Sequence, residues 1–285
     1  MANNHQGDVE HGLNIVHSFA KVVKDRGARA ALKFQFRQLD TFIHQDHHKD
    51  SDHKQVQRFL STRLPWDKFQ ALLDEVRSQG LVTMCTPFDE ASVDIICDMG
   101  LDVIKVASCS GKDWPLLEKV ADADKPVIFS TGGLTLRDID NLVSFFQHRG
   151  VHFAIMHCVA IYPTPDENMN MRQIGLLRSR YPGIHVGWST HESPSDMTPV
   201  QLAVALGAEL FERHVGIATK NSPLNAYSST PEQIAEWISS KQRAQVLCGP
   251  RERQPASAAE QSAIDGLKRG VYAKRKIRKS AVIEG

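Results

Sequence analysis

The sequence predicts a parallel α/β barrel of the (β/α)8 (TIM) kind in which the first strand is mostly missing. Short apolar segments alternate with amphipathic stretches almost from end to end of the 285 residues, as expected for strands buried on both faces and covered by helices. The length suits one such barrel, which runs to roughly 250 residues. His191 and His214 each close an apolar segment, in His185-Val186-Gly187-Trp188-Ser189-Thr190-His191 and Ala208-Glu209-Leu210-Phe211-Glu212-Arg213-His214, one repeat apart. Adjacent strands of a barrel bring their last residues to one rim, where such proteins do their chemistry.

In chain order, strands are expected at Ala30–Phe36, Leu81–Thr86, Val103–Ala107, Val127–Ser130, Phe153–Cys158, His185–Ser189 and Glu209–His214. Helical patterns lie near 9–26, 66–80, 89–99, 113–122, 135–149, 168–181, 199–206 and 231–247. Ser61-Thr62 before Trp66, Thr135 before Asp138 and Thr230-Pro231 before Glu232 are helix-start signals. An eighth strand would precede the first helix, where only Met1–Asn4 stands, so that strand is expected to be truncated.

Gln38–Arg63 is long for a connection at this face and is expected to shape substrate access. Its His44, His47, His48 and His53 lie among Asp and Lys, the composition of a solvated loop rather than a metal site. The barrel is expected over 1–248, a polar linker over 249–267, and over 268–285 the opening strand of another small domain.

With 34 basic and 33 acidic side chains, the near-neutral balance gives no reason to expect nucleic acid or an anionic membrane as partner. No apolar run approaches the ~20 residues of a membrane helix, and the N-terminus has no signal-peptide pattern. Cys85, Cys97, Cys109, Cys158 and Cys248 form no C-x-x-C pair and read as reduced, mostly buried thiols of a cytoplasmic protein.

The predicted rim carries Lys33, Gln35, Thr86, Lys105, Ser108, Ser130, Tyr162, Ser189, His191 and His214. Lysines in buried strands are expensive to desolvate unless compensated. A bound carboxylate or phosphate would compensate them, with the serines as short donors to its oxygens. Two imidazoles at adjacent strand ends could seat a divalent metal with open coordination positions. Two alternatives stay open: a Schiff-base aldolase using Lys33 or Lys105, and an inactive barrel serving as a ligand-binding or assembly subunit.

Several motifs carry a family resemblance. They are Asn4-His5-Gln6-Gly7-Asp8, Lys33-Phe34-Gln35, Cys85-Thr86-Pro87-Phe88, Lys105-Val106-Ala107-Ser108, Ser130-Thr131-Gly132, His157-Cys158 with Tyr162-Pro163-Thr164-Pro165, Gly187-Trp188-Ser189-Thr190-His191 and Glu212-Arg213-His214. In order and spacing over about residues 3–248 the chain resembles the sialic acid synthases, the phosphoenolpyruvate-dependent N-acetylneuraminate synthases and their bacterial relatives that make other nonulosonic acids. Lys268–Lys279 looks like the start of that family's C-terminal antifreeze-like (SAF) domain.

The resemblance implies condensation of phosphoenolpyruvate with an N-acylated amino sugar, such as N-acetylmannosamine, in its open-chain aldehyde form. By carry-over, His191 and His214 would hold Mn²⁺ or another divalent ion. Lys33, Thr86, Lys105, Ser108, Ser130 and Ser189 would hold phosphoenolpyruvate, with Lys33 and Lys105 in the catalytic set. Gln35 and Tyr162 would contact the sugar.

The chain also departs from the pattern. The family's first-strand Glu would fall just before Met1, and Ala160 stands where Asn or Ser usually donates to phosphate. Ser222–Ser228 replaces a stretch that carries an acidic sugar contact; Asn225 could bond a hydroxyl there but brings no charge. This favours an acceptor other than plain N-acetylmannosamine. The truncated SAF domain weakens the homodimer that the resemblance would imply.

Overall fold

The computed structural model describes residues 1–48, 51–220 and 222–283. Two positions of the long 38–63 stretch and the last two of the 268–285 tail lie outside the described residues. The chain divides into two compact units, Met1–Cys248 and Gly249–Gly285.

In the first unit, seven strands form one parallel sheet in sequence order: β1 (Ala31–Phe36), β2 (Val82–Pro87), β3 (Val103–Val106), β4 (Val127–Ser130), β5 (Phe153–Cys158), β6 (His185–Thr190) and β7 (Leu210–Arg213). The sheet curls into an open barrel. Its helices are α1 (Val9–Asp25), α2 (Leu39–Phe42), α3 (Lys54–Ser61), α4 (Trp66–Ser78), α5 (Glu90–Asp98), α6 (Trp114–Ala121), α7 (Leu136–His148), α8 (Gln173–Arg180), α9 (Thr198–Ala205) and α10 (Pro231–Cys248).

Period-two alternation sets the faces of β1. Leu32, Phe34 and Phe36 are buried, and Phe34 and Phe36 meet Phe69 of α4 edge-on or tilted at 6.1 and 4.8 Å between ring centres. Lys33 and Gln35 take the opposite face, the barrel interior. Helix starts are fixed by short acceptors. Asp8 accepts from the Glu10 and His11 amides, and Asp89 accepts from Ser92 N at 2.7 Å. Thr135 and Asp138 form a reciprocal capping box, as the spacing predicts.

Across the gap between β1 and β7 lies the N-terminal segment, a 3₁₀ turn over Ala2–His5. The Met1 amino group donates to Lys33 O at 2.9 Å. On the other side Asn4 Nδ2 donates to Val215 O at 2.8 Å and to Ser228 Oγ at 3.1 Å.

Three local expectations are corrected. The 38–63 stretch contains α2, α3 and a 3₁₀ turn at Gln45–His47. Ser61-Thr62 is the end of α3, not the cap of α4. Both hydroxyls donate back to Arg58 O, at 3.1 and 2.7 Å, and α4 starts after Pro65. In the second unit the polar 249–267 stretch contains α11 (Ala258–Leu267), capped by Ser257 Oγ accepting from Glu260 N at 3.1 Å; its Ala, Glu and Gln are strong helix formers. No strand forms over 268–283, since a lone strand has no ladder to satisfy its amides and carbonyls.

The thiols are less buried than expected. Cys85 and Cys158 are buried, Cys97 is half-buried, and Cys109 and Cys248 are exposed. Among the described residues no helix is long and apolar enough to cross a membrane.

His5 is buried with its ring edge-on to Phe69 at 5.5 Å, and its Nδ1 accepts from Gly7 N at 3.1 Å. Burial, with the nearby N-terminal amine adding, lowers its pKa to about 4. Burial lowers His157 as well. The unfolded chain therefore binds more protons, so this stability is complete above the ordinary histidine value of 6.5 and is lost as pH falls through about 4. His5 alone accounts for about 3 kcal/mol. Denaturation midpoints should drop clearly between pH 7.5 and 5, before carboxylates titrate; a flat profile would contradict the neutral buried histidines.

Candidate active site at the strand ends

The inward faces of β1, β3, β4, β6 and β7 converge on one carboxylate, Glu212. Its Oε1 lies 3.0 Å from Lys33 Nζ and accepts from Ser189 Oγ at 3.2 Å. Its Oε2 is 4.0 Å from Lys105 Nζ. Lys105 is only 2% exposed and donates to Ser130 Oγ and to Val106 O. Burial by itself would raise the Glu212 carboxyl, but Lys105 and Lys33 together outweigh it and hold the group well below the usual carboxylate range. Burial lowers the Lys105 ammonium, with Glu212 opposing.

The buried lysines therefore have a partner within the chain. The expectation that only a ligand would compensate them is corrected, because Glu212 already does so in part. The available signal was its position two residues before His214, on the same face of β7.

Around this centre stand the other expected anion contacts. Thr86 pairs in register with Gln35, is 1% exposed, and its Oγ1 has no hydrogen-bond partner among the described residues. A buried hydroxyl without a partner is uncommon. Ser108 Oγ accepts from Gly132 N at 3.0 Å. A Cβ at Gly132 would lie 2.7 Å from that oxygen, so only glycine permits the approach. Ala160 is exposed and brings no side-chain donor.

The two histidines do meet, with ring centres 5.4 Å apart. His191 Nδ1 donates to Val159 O at 2.9 Å, which fixes the tautomer and leaves Nε2 as an acceptor. Burial lowers His191 to about 4, and burial, with Lys33 and His191 adding, holds His214 well below its ordinary value. Both rings are neutral near pH 7, as metal ligands must be. Among the described residues no cluster of three or more His, Cys, Asp or Glu fits a metal. His44, His47 and His53 are exposed. The candidate donors are the His191–His214 pair, which fits a two-imidazole site with open positions.

Tyrosines wall this pair. Tyr162 packs on His191 at 4.1 Å between ring centres, and Tyr227 meets His214 at 5.2 Å and Tyr162 at 5.2 Å. Tyr227 was not foreseen, since it lies in an irregular segment after β7 where no periodicity marks a facing side chain. Asn225 accepts from Tyr227 N at 3.3 Å, and its Nδ2 lies 3.5 Å from Asn4 Oδ1. Gln35 accepts from both terminal nitrogens of Arg37, at 3.3 and 3.4 Å. The segment bearing Tyr162 is pinned by Thr164 N donating to His191 O at 3.0 Å and by His157 Nε2 donating to Met169 O at 2.9 Å.

Comparison with known proteins gives a consistent picture. A model of the NeuB family matches residues 20–253. The crystal structure of a Chromobacterium violaceum protein described as spore coat polysaccharide biosynthesis protein E superposes with a TM-score of 0.94 at 46% identity, covering 96% of this chain and 82% of that one. The uncharacterized protein MJ1065 of Methanocaldococcus jannaschii is 33% identical over 97% of this chain and 78% of its own length. The N-acetylneuraminic acid (sialic acid) synthetase of Leptospira borgpetersenii, solved with citrate, has a TM-score of 0.80 at 26% identity, covering 93% of this chain and 88% of that one.

Proposed function

The chain belongs to the NeuB family, and from that premise we propose that it condenses phosphoenolpyruvate with the open-chain aldehyde of an N-acylated amino sugar, giving a nonulosonic acid and phosphate. The observation that carries this reading is the juxtaposition on β7 of Glu212, held between Lys33 and Lys105, with His214, paired to His191. On this reading one half of the rim takes a small anion and the other a divalent ion.

Lys33, Lys105, Ser130 and Ser189, with the unpartnered Thr86 hydroxyl and Ser108, bind the carboxylate and phosphate of phosphoenolpyruvate. Charge-assisted bonds to buried ammoniums are the strong ones, because no water competes. His191 and His214 would hold a divalent ion such as Mn²⁺, which would supply Lewis-acid polarisation of the acceptor carbonyl. Gln35, Tyr162 and Asn225 orient the sugar so that its C1 meets C3 of phosphoenolpyruvate. A C–C bond forms between them, water adds at C2, and the C2–O bond to phosphate breaks. Glu212 is held too acidic to take a proton readily; it acts as counter-charge to the lysines. A Schiff-base role for Lys33 or Lys105 is less favoured, because each ammonium already donates to Glu212 or Ser130.

Incubation with fully ¹³C-labelled phosphoenolpyruvate, Mn²⁺ and a panel of N-acyl amino sugars tests the proposal. Mass spectrometry should find an acid that has gained all three labelled carbons. Unchanged sugars throughout would overturn it.

A further inference from the structure

A cavity of about 300 Å³ opens where β1 ends, bounded by the N-terminal turn, the end of α3 and the start of α4. That is the lower end of small-molecule pockets, roughly 300–1,000 Å³. Gln35, already assigned to the acceptor, lines it, and lies two residues and about 7 Å along the strand from Lys33. Through Gln35 the cavity adjoins the rim on the β1 side.

Its charge is one-sided. Arg37 and Arg63 line it, and among the described residues no Asp or Glu does. Arg63 is engaged, donating to both carboxylate oxygens of Asp40 at 2.9 and 2.6 Å. Arg37 is different. Its guanidinium lies between two phenyl rings, 3.6 Å from the centre of Phe88 and 4.1 Å from that of Phe59. Its hydrogen-bond acceptor is the neutral Gln35 amide, and its Nε is buried without a partner among the described residues. Asp89 is nearby, but its oxygens accept from Gln38 N at 2.8 Å and Ser92 N at 2.7 Å. Burial lowers the Arg37 pKa to about 10, with Asp89 nearby opposing.

Two aromatic faces fix the plane of the guanidinium but neutralise little of its charge. A rigid, desolvated fork of donors without an anion suits a carboxylate or phosphate gripped by two bonds. We propose that this cavity receives the far end of the acceptor sugar and that Arg37 binds an anionic substituent there, a carboxylate or a phosphate ester. The proposal rests on the reading that the rim takes an amino sugar. It also accounts for the missing acidic sugar contact after β7, since a carboxylate on the protein would repel such an acceptor.

The test compares N-acetylmannosamine, its 6-phosphate and its uronic acid as acceptors, with phosphoenolpyruvate and Mn²⁺ saturating. One anionic sugar should have a kcat/KM at least tenfold above the neutral one, and which one identifies the substituent. In Arg37→Gln that ratio should fall at least tenfold. A neutral preference, or a ratio unmoved by the substitution, would overturn the proposal.

If none of the three is turned over, the condensation is judged by the wider panel of acceptors and the cavity by binding alone. The same sugars are then compared by thermal shift. Stabilisation by an anionic sugar that the neutral one does not give, and that Arg37→Gln loses, upholds the site; equal shifts sink it. Should Arg37→Gln fail to fold, the difference between anionic and neutral sugars on the parent protein decides.

Discussion

Replacing either His191 or His214 with Ala should abolish Mn²⁺ binding in a calorimetric titration and lower condensation by roughly a thousandfold. Lewis-acid polarisation of a carbonyl contributes several kcal/mol at the transition state, and each 1.36 kcal/mol is about a factor of ten. The protein should stay folded. His191→Ala removes one hydrogen bond, from Nδ1 to Val159 O, which costs about 1 kcal/mol. Burial keeps both rings neutral, so the parent should bind metal well at pH 7. Undiminished Mn²⁺ affinity in both variants would remove the metal assignment.

Glu212→Gln should show the second large effect. The substitution leaves two largely buried ammoniums facing a neutral amide, and breaking a buried pair from one side costs about 3–5 kcal/mol. The ligand-free variant should unfold correspondingly earlier in denaturant. Phosphoenolpyruvate should then stabilise the variant more than the parent, because its charges replace the one removed. The Glu212 carboxyl is depressed on folding, so its contribution is complete above the ordinary value of 4.5 and is lost as pH falls through the folded value. The gap between parent and variant should therefore narrow on going from pH 7 towards pH 3. Equal stability at pH 7, with equal gains from ligand, would show that Glu212 does not hold the lysines.

Much of this architecture was legible in the chain because the strands announce themselves. Val127–Ser130 and Phe153–Cys158 have the bounds their apolar runs predict, and the barrel then brings His191 to His214. What stayed hidden lacked a periodic signal. α3 is built from a polar stretch whose Val56, Phe59 and Leu60 are its apolar contribution, so its composition reads as a loop. Glu212 looked like one more charge until the curl of the sheet brought Lys33 of β1 across to it. Arg37 follows a strand without marking a site by itself; its meaning comes from Phe59 and Phe88, which are remote in sequence and adjacent only in the fold. Tyr227 reaches the histidines through an irregular segment, where side-chain direction depends on tertiary contacts.

The most direct test of the central claim is phosphate release from phosphoenolpyruvate with Mn²⁺, measured with and without an N-acyl amino sugar, neutral and anionic acceptors included. The account predicts release that requires both the sugar and the metal and is lost in His214→Ala. Release that is indifferent to every acceptor, or that persists undiminished in His214→Ala, would contradict it.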